Sequence, residues 1–232
     1  MTVFVIKILA VITMILDHIK YAIPITNCFF TQCFGRISFP LFAFLISESI
    51  IHTKSRKKYI GRIAIFAIIS QIPFMLFRSL VADYFMLNIM FTFLFSILGI
   101  LVIDFFKSQK EISIILKYII TSFSLFSIMM LGSFIPVDYR WFGILTVWIF
   151  YIFREKKILR TIIFIFEVVI YYFVGNGYNF SNVNFFSVIF TILPSLIILF
   201  YNGKQGKKLK YFFYWFYPIH MLIIYFLSFI FK

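Results

Sequence analysis

The chain has 232 residues, of which 63% are hydrophobic and 23% aromatic, and a formal net charge of +14; its mean hydropathy is +1.03. Repeated apolar runs of about 20 residues, split by short polar patches, exclude an ordinary soluble domain and describe a polytopic helical membrane protein. A transmembrane barrel is excluded because the runs do not alternate over ~10-residue pieces. Nucleic acid is excluded as a partner because the Lys and Arg residues collect in short loops between apolar runs.

A single all-α domain over residues 1–232 with about nine transmembrane helices is expected. The first helix runs from about Val3 to Ile23 and stops at Pro24; it is too long for a cleavable leader, and Asp17 and His18 interrupt it. Cys28 and Cys33 follow, with four residues between them. They permit a disulfide if their segment faces an oxidising compartment, and otherwise read as two buried thiols. The second helix, about Phe34 to Ile51, carries Gly35, Arg36 and Pro40 near its start. After the basic loop Lys54 to Lys58 come helices at about Tyr59 to Phe77, Tyr84 to Phe106 and Ile112 to Ile135. A short sixth helix covers Tyr139 to Phe153, and the remaining three take about Ile158 to Val174, Phe185 to Tyr201 and Tyr211 to Phe231. With the N-terminus cytoplasmic, the basic loops at 53–58, 107–111, 154–157 and 202–210 all lie inside, and the opposite loops hold little beyond Arg78 and Arg140. The C-terminus is then outside.

Asp17, His18, Glu48, His52 and His220 interrupt otherwise apolar helices. A charge at the bilayer centre costs at least ~2.5–3.5 kcal/mol on insertion scales, so such groups are expected to face the bundle interior and meet in a shared aqueous niche. At ~1.5 Å per residue, Asp17 and His18 lie about 20 Å from the cytoplasmic start of their helix. Arg36 enters from the same outer side, and His220 is roughly mid-depth. Glu48 and His52 share one helix face near its cytoplasmic end. Each has a plainer reading. His18 could simply hydrogen-bond a neighbouring helix, His52 could be solvated, and Glu48 could tie to Arg62. Asp83, Asp104 and Asp138 sit near helix ends and read as interfacial, and Glu167 has no partner that the sequence names. A histidine near a carboxylate is the usual apparatus for acid–base catalysis at neutral pH. Arg36, Asn88 or Gln71 could stabilise an oxyanion beside it. The basic loops could bind a polyphosphate, although membrane orientation accounts for them equally well.

An ordered set of short motifs runs along most of the chain. Leu16-Asp17-His18-Ile19 comes first, then Gly35-Arg36-Ile37-Ser38-Phe39-Pro40, then Glu48 with His52-Thr53. Ser70-Gln71-Ile72-Pro73, Asn88 with Phe91-Thr92, and Asp138-Tyr139 with Gly143 follow. Tyr201-Asn202-Gly203-Lys204 and the run from Lys210 to His220 close the series. In this order the chain resembles the TraX family of polytopic membrane proteins; Ser49 departs from it, standing where Gly is expected. The resemblance implies a multi-pass protein of a bacterial cytoplasmic membrane that acts as an N-acetyltransferase, since the founding member is associated with N-terminal acetylation of conjugative pilin. The donor would be cytoplasmic acetyl-CoA, and the acceptor an amine on a pilin-like or other membrane-proximal peptide or a small molecule. On this reading His18 is the base, Asp17 or Glu48 its orienting or relay partner, and Arg36 its electrostatic support, with His220 also at the transfer site. His52, Lys58, Arg62, Lys204, Lys210 and Tyr211 would contact the donor. A proton-coupled transporter of a small polar solute or lipid headgroup is the alternative, because a track of Asp, Glu and His suits a proton relay. A non-catalytic membrane partner is the third reading.

Overall fold

The computed structural model describes residues 1–82, 84–179, 181, 183–207 and 210–231, without the side chain of Lys210. Asp83 and Lys208 therefore lie outside the described residues. Among the described residues ten α-helices form: α1 (Val3–Ile19), α2 (Phe29–Gly35), α3 (Ser38–His52), α4 (Arg56–Arg78), α5 (Ile89–Ser108), α6 (Ile114–Phe134), α7 (Arg140–Ile152), α8 (Lys157–Gly175), α9 (Phe185–Leu199) and α10 (Lys210–Phe231). Among the described residues there is no strand, only an isolated bridge between Leu87 and Val137. The second helix expected from the sequence is broken, because the chain turns at Arg36 and Ile37 between α2 and α3. Among the described residues six helices are long and apolar enough to cross a membrane: Phe29–His52 taken across that break, Arg56–Arg78, Ile89–Ser108, Ile114–Phe134, Lys157–Gly175 and Tyr211–Phe231. With 17, 13 and 15 residues, α1, α7 and α9 fall short of the ~20 that a bilayer core needs.

The short α7 positions the site. It packs against α3, α5, α6 and α8, and nearly all of it from Phe142 to Tyr151 is buried. Thirteen residues rise only about 20 Å, and the turn that starts α7 is partly covered, with Val137 buried, Asp138 and Tyr139 half-buried and Arg140 exposed. Three hydrogen bonds hold that turn. The Leu87 amide donates to the Pro136 carbonyl at 2.8 Å, the Asp138 amide to the Leu87 carbonyl at 3.0 Å, and Thr92 Oγ1 to the Asp138 carbonyl at 2.6 Å. Tyr139 and Arg140 adopt positive φ angles of 60° and 44°, a region that bulky residues avoid. The Phe39 ring stacks on Tyr139 at 4.0 Å and helps to hold it there.

At the opposite end of the bundle, where the basic loops gather, the segment after α9 closes over the start of α1. The first amides of a helix lack intrahelical partners. Here Val3 N donates to the Lys204 carbonyl at 2.9 Å and Phe4 N to the Gln205 carbonyl at 3.1 Å. Gly206 has φ +70°, and a Cβ on it would lie 2.8 Å from Thr2 Oγ1, so glycine is needed at this close approach.

Candidate functional site

His18, in the last turn of α1, and His220, midway along α10, meet: Nδ1 of His18 is 2.9 Å from Nε2 of His220. The other nitrogen of His220, Nδ1, is 2.9 Å from the Phe216 carbonyl oxygen. A carbonyl only accepts, so His220 Nδ1 carries the hydrogen. In the neutral ring, Nε2 is then an acceptor and takes the hydrogen of His18 Nδ1. The hydrogen-bond chain thus leaves Nε2 of His18 with a lone pair. Phe77 at 4.7 Å and Phe216 at 4.9 Å pack on the two rings and hold them in place.

His18 lines a cavity of about 100 Å³, together with Asp17, Ser38, Asp138, Tyr139 and Tyr217. Aromatic rings of Phe39, Phe42, Phe74, Phe93, Phe213 and Phe216 form most of its remaining wall. The cavity is far smaller than the roughly 300–1,000 Å³ of drug-sized ligand sites, but its mostly apolar wall with a few convergent polar groups follows their pattern. Asp17 is engaged, since its Oδ1 accepts from Lys20 Nζ at 2.7 Å. Asp138, which the sequence places at the interface, belongs instead to this cavity. It lies in the turn between α6 and α7, outside the spanning helices, and burial pushes its carboxyl up to about 6. The Tyr217 hydroxyl is buried and faces the Ile89 amide without reaching hydrogen-bond geometry. The sequence hides Tyr217 among its many aromatic residues. Asp138 could have been found from its place in the Asp138-Tyr139 motif and from the shortness of the helix that follows it.

The remaining expected residues fall elsewhere. Glu48 is not a partner of His18. Ser38 of α3 bonds the Ala10 carbonyl of α1, and from that contact Glu48 runs one way along the bundle and His18 the other, leaving about 27 Å of helix rise between them. Glu48 does not tie to Arg62 either. It faces His52 at 3.3 Å, with Tyr201 and the buried Arg160 close by. His52 is a solvated boundary residue, its side chain 61% exposed. The single polar track is therefore two clusters, one around the cavity and one at the basic end. Arg36 is half-buried in the field of Tyr139, Tyr172 and Asp17, with its Nε unpartnered. Asn88 and Gln71 are not oxyanion donors. Asn88 Nδ2 donates to the Ala67 carbonyl at 2.7 Å and to Gln71 Oε1 at 2.9 Å, while Gln71 Nε2 donates to the Met86 carbonyl at 2.7 Å.

Of the residues expected to hold a donor, Lys58 and Lys204 are exposed at the basic end and Tyr211 is exposed on α10. Lys204 also caps α1 through its carbonyl. Arg62 lies beside the Tyr59 and Tyr214 rings, and the side chain of Lys210 lies outside the described residues. Lys7 was not anticipated. Its Nζ sits 5.0 Å from the centre of the Phe213 ring, which also lines the cavity. Cys28 and Cys33 are free thiols; Cys33 is buried but Cys28 is exposed, so neither the disulfide nor the pair of buried thiols forms. Glu167, partnerless in the sequence, accepts from Thr146 Oγ1 at 3.0 Å beside an almost wholly apolar groove of about 530 Å³ between α6, α7 and α8. That groove is larger than the histidine cavity but lacks its convergent polar groups.

A protein-family model described as TraX protein matches residues 3–228. The chain is also similar to a protein from Dichelobacter nodosus described as a probable fimbrial assembly protein, FimC of serogroup H1. The two are 26% identical over 241 residues, covering 95% of this chain and 93% of that protein. No solved structure matches the chain.

Proposed function

The chain belongs to the TraX family, and from that membership and the cavity lined by His18, with His220 bonded behind it, we propose that it is a membrane acyltransferase that moves the acetyl group of acetyl-CoA onto an amine. The acceptor is an amine on a pilin-like or other membrane-proximal peptide, a choice that the similarity to a fimbrial assembly protein supports. The observation that carries the reading is the free lone pair on His18 Nε2, fixed by the chain from His18 through His220 to the Phe216 carbonyl. A base at that atom takes one proton from the acceptor's ammonium. The freed nitrogen forms a C–N bond to the thioester carbonyl, and the C–S bond breaks. The departing thiolate takes a second nitrogen proton, the third stays on the amide, and His18 releases its own proton to water. The buried Tyr217 hydroxyl is the unengaged donor for the carbonyl oxygen as charge gathers there.

The basic end suits the donor. Lys7 and His18 are eleven residues apart, close to three helical turns, and so share one face of α1. Lys7, Lys58, Arg62 and Lys204 supply charge that complements a polyphosphate. In this orientation the N-terminus and basic loops are cytoplasmic and the C-terminus is outside. Purified protein given radiolabelled acetyl-CoA and peptides with free N-termini is expected to yield labelled peptide. His18→Ala is expected to lower the rate by ~100-fold or more. Undiminished transfer by the His18→Ala, His220→Ala double variant would overturn the mechanism. Proteoliposome uptake driven by a pH gradient, with no dependence on acetyl-CoA, would point to a carrier instead.

A further inference from the structure

The two carboxylates of the cavity are held differently. Asp17 is neutralised by Lys20 at 2.7 Å. Asp138 forms no ion pair among the described residues; its Oδ1 accepts only the Tyr139 amide, at 3.1 Å. Arg78, whose field reaches Asp138, is engaged elsewhere, its guanidinium lying 4.1 Å from the centre of the Tyr84 ring and its Nε donating to the Tyr84 carbonyl. Beside Asp138 the stacked Phe39 and Tyr139 rings line the same cavity. The π face of an aromatic ring attracts a cation, most strongly where water is excluded. An unpaired carboxylate next to aromatic rings is thus a site short of one positive charge.

Resting on the acetyl-transfer reading, we infer that Asp138 and the Phe39–Tyr139 ring pair form the subsite that receives the acceptor as a primary ammonium ion with a small attached group. The size limit comes from the cavity. A cavity of about 150 Å³ holds benzene, so one of about 100 Å³ has room for about four non-hydrogen atoms. The cavity is open on one side, so it takes the ammonium and the few atoms next to it while the rest of the acceptor and the donor stay outside. Asp138 is then a positioning residue: it holds the ammonium in the cavity that His18 also lines, and His18 removes the proton.

Glycinamide, a cation at neutral pH, and glycolamide, its uncharged isostere, serve as probes in binding titrations with the full-length protein in detergent. The native protein is expected to bind glycinamide at least ten-fold more tightly than glycolamide. Asp138→Asn is expected to abolish that preference while leaving glycolamide binding unchanged, and Asp138→Glu to retain part of it. If Asp138→Asn does not fold, Phe39→Leu provides the second arm, with a several-fold loss for the cation alone. A preference that survives Asp138→Asn, or equal losses for both probes, would overturn the inference. Acetyl transfer assayed in parallel separates the two readings. Absence of transfer with the cation preference intact removes the enzyme reading and keeps the subsite, whereas transfer with no preference does the reverse.

Discussion

At the scale of single residues, the cavity depends on which neighbours leave its side chains room. Gly35 is the clearest case, since a Cβ there would lie 2.4 Å from Asp17 Oδ1 and 2.6 Å from Asp17 Cβ. Asp17 is short and cannot swing aside, so Gly35→Ala is expected to displace its carboxylate from Lys20. Overpacking of this kind costs about 1–3 kcal/mol, and the measurement is the melting temperature in detergent. An unchanged melting temperature would mean that α1 and α2 do not approach this closely. Asp138 adds a dependence on pH. Its folded carboxyl titrates at about 6 against an ordinary 3.8, so between those values the native protein holds more protons than the unfolded chain. Stability must then fall as pH rises from about 4 to 6, by roughly 2–3 kcal/mol at 1.36 kcal/mol per pH unit. Asp138→Asn is expected to flatten that slope, which thermal melts across pH 4–7 would detect.

At the scale of elements, the expected helices formed nearly where apolar runs placed them, apart from the break between α2 and α3, but partnerships between helices were only partly legible. The pairing of His18 and His220 could be anticipated in kind, because a histidine inside an apolar helix needs a polar neighbour. Glu48 was misplaced because position along one helix fixes depth but not the neighbour that a face meets. Asp138 looked interfacial because it precedes a helix start. The Asp138-Tyr139 motif and the brevity of α7, 13 residues, are the signals that set it apart from the other carboxylates at helix ends. Asn88 shows the same gap between residue type and role. Its amide looks like an oxyanion donor, yet its side chain binds α4 at Ala67 and Gln71 and its Oδ1 caps α5 at the Met90 amide. Asn88→Ala removes these side-chain bonds, while the residue-88 amide still donates to Gln71 Oε1, and the loss is about 1–3 kcal/mol. The expected result is a lower melting temperature with an unchanged KM for acetyl-CoA. A selective rise in KM at unchanged stability would return Asn88 to the site.

At the scale of the whole molecule, the charge distribution and the cavity make one linked claim: the basic end faces the cytoplasm, where acetyl-CoA is, and the Cys28 end faces outward. The two cysteines provide the test. Cys28 is exposed just before α2, and Cys33 is buried one turn further on. A hydrogen bond from the Thr31 amide, at the start of α2, lowers the Cys28 thiol below its ordinary value and so favours the thiolate that reacts with maleimides. A membrane-impermeant maleimide is therefore expected to modify Cys28 on intact cells and to leave Cys33 unmodified. In a Cys28→Ser background, a cysteine introduced by Lys204→Cys sits in the segment that caps α1 at the basic end, and is expected to react only after the membrane is opened. The reverse pattern would turn the basic loops outward. Lys7, Lys58, Arg62 and Lys204 would then face a compartment without acetyl-CoA, and the acetyl-transfer reading would fail even with the histidine pair intact.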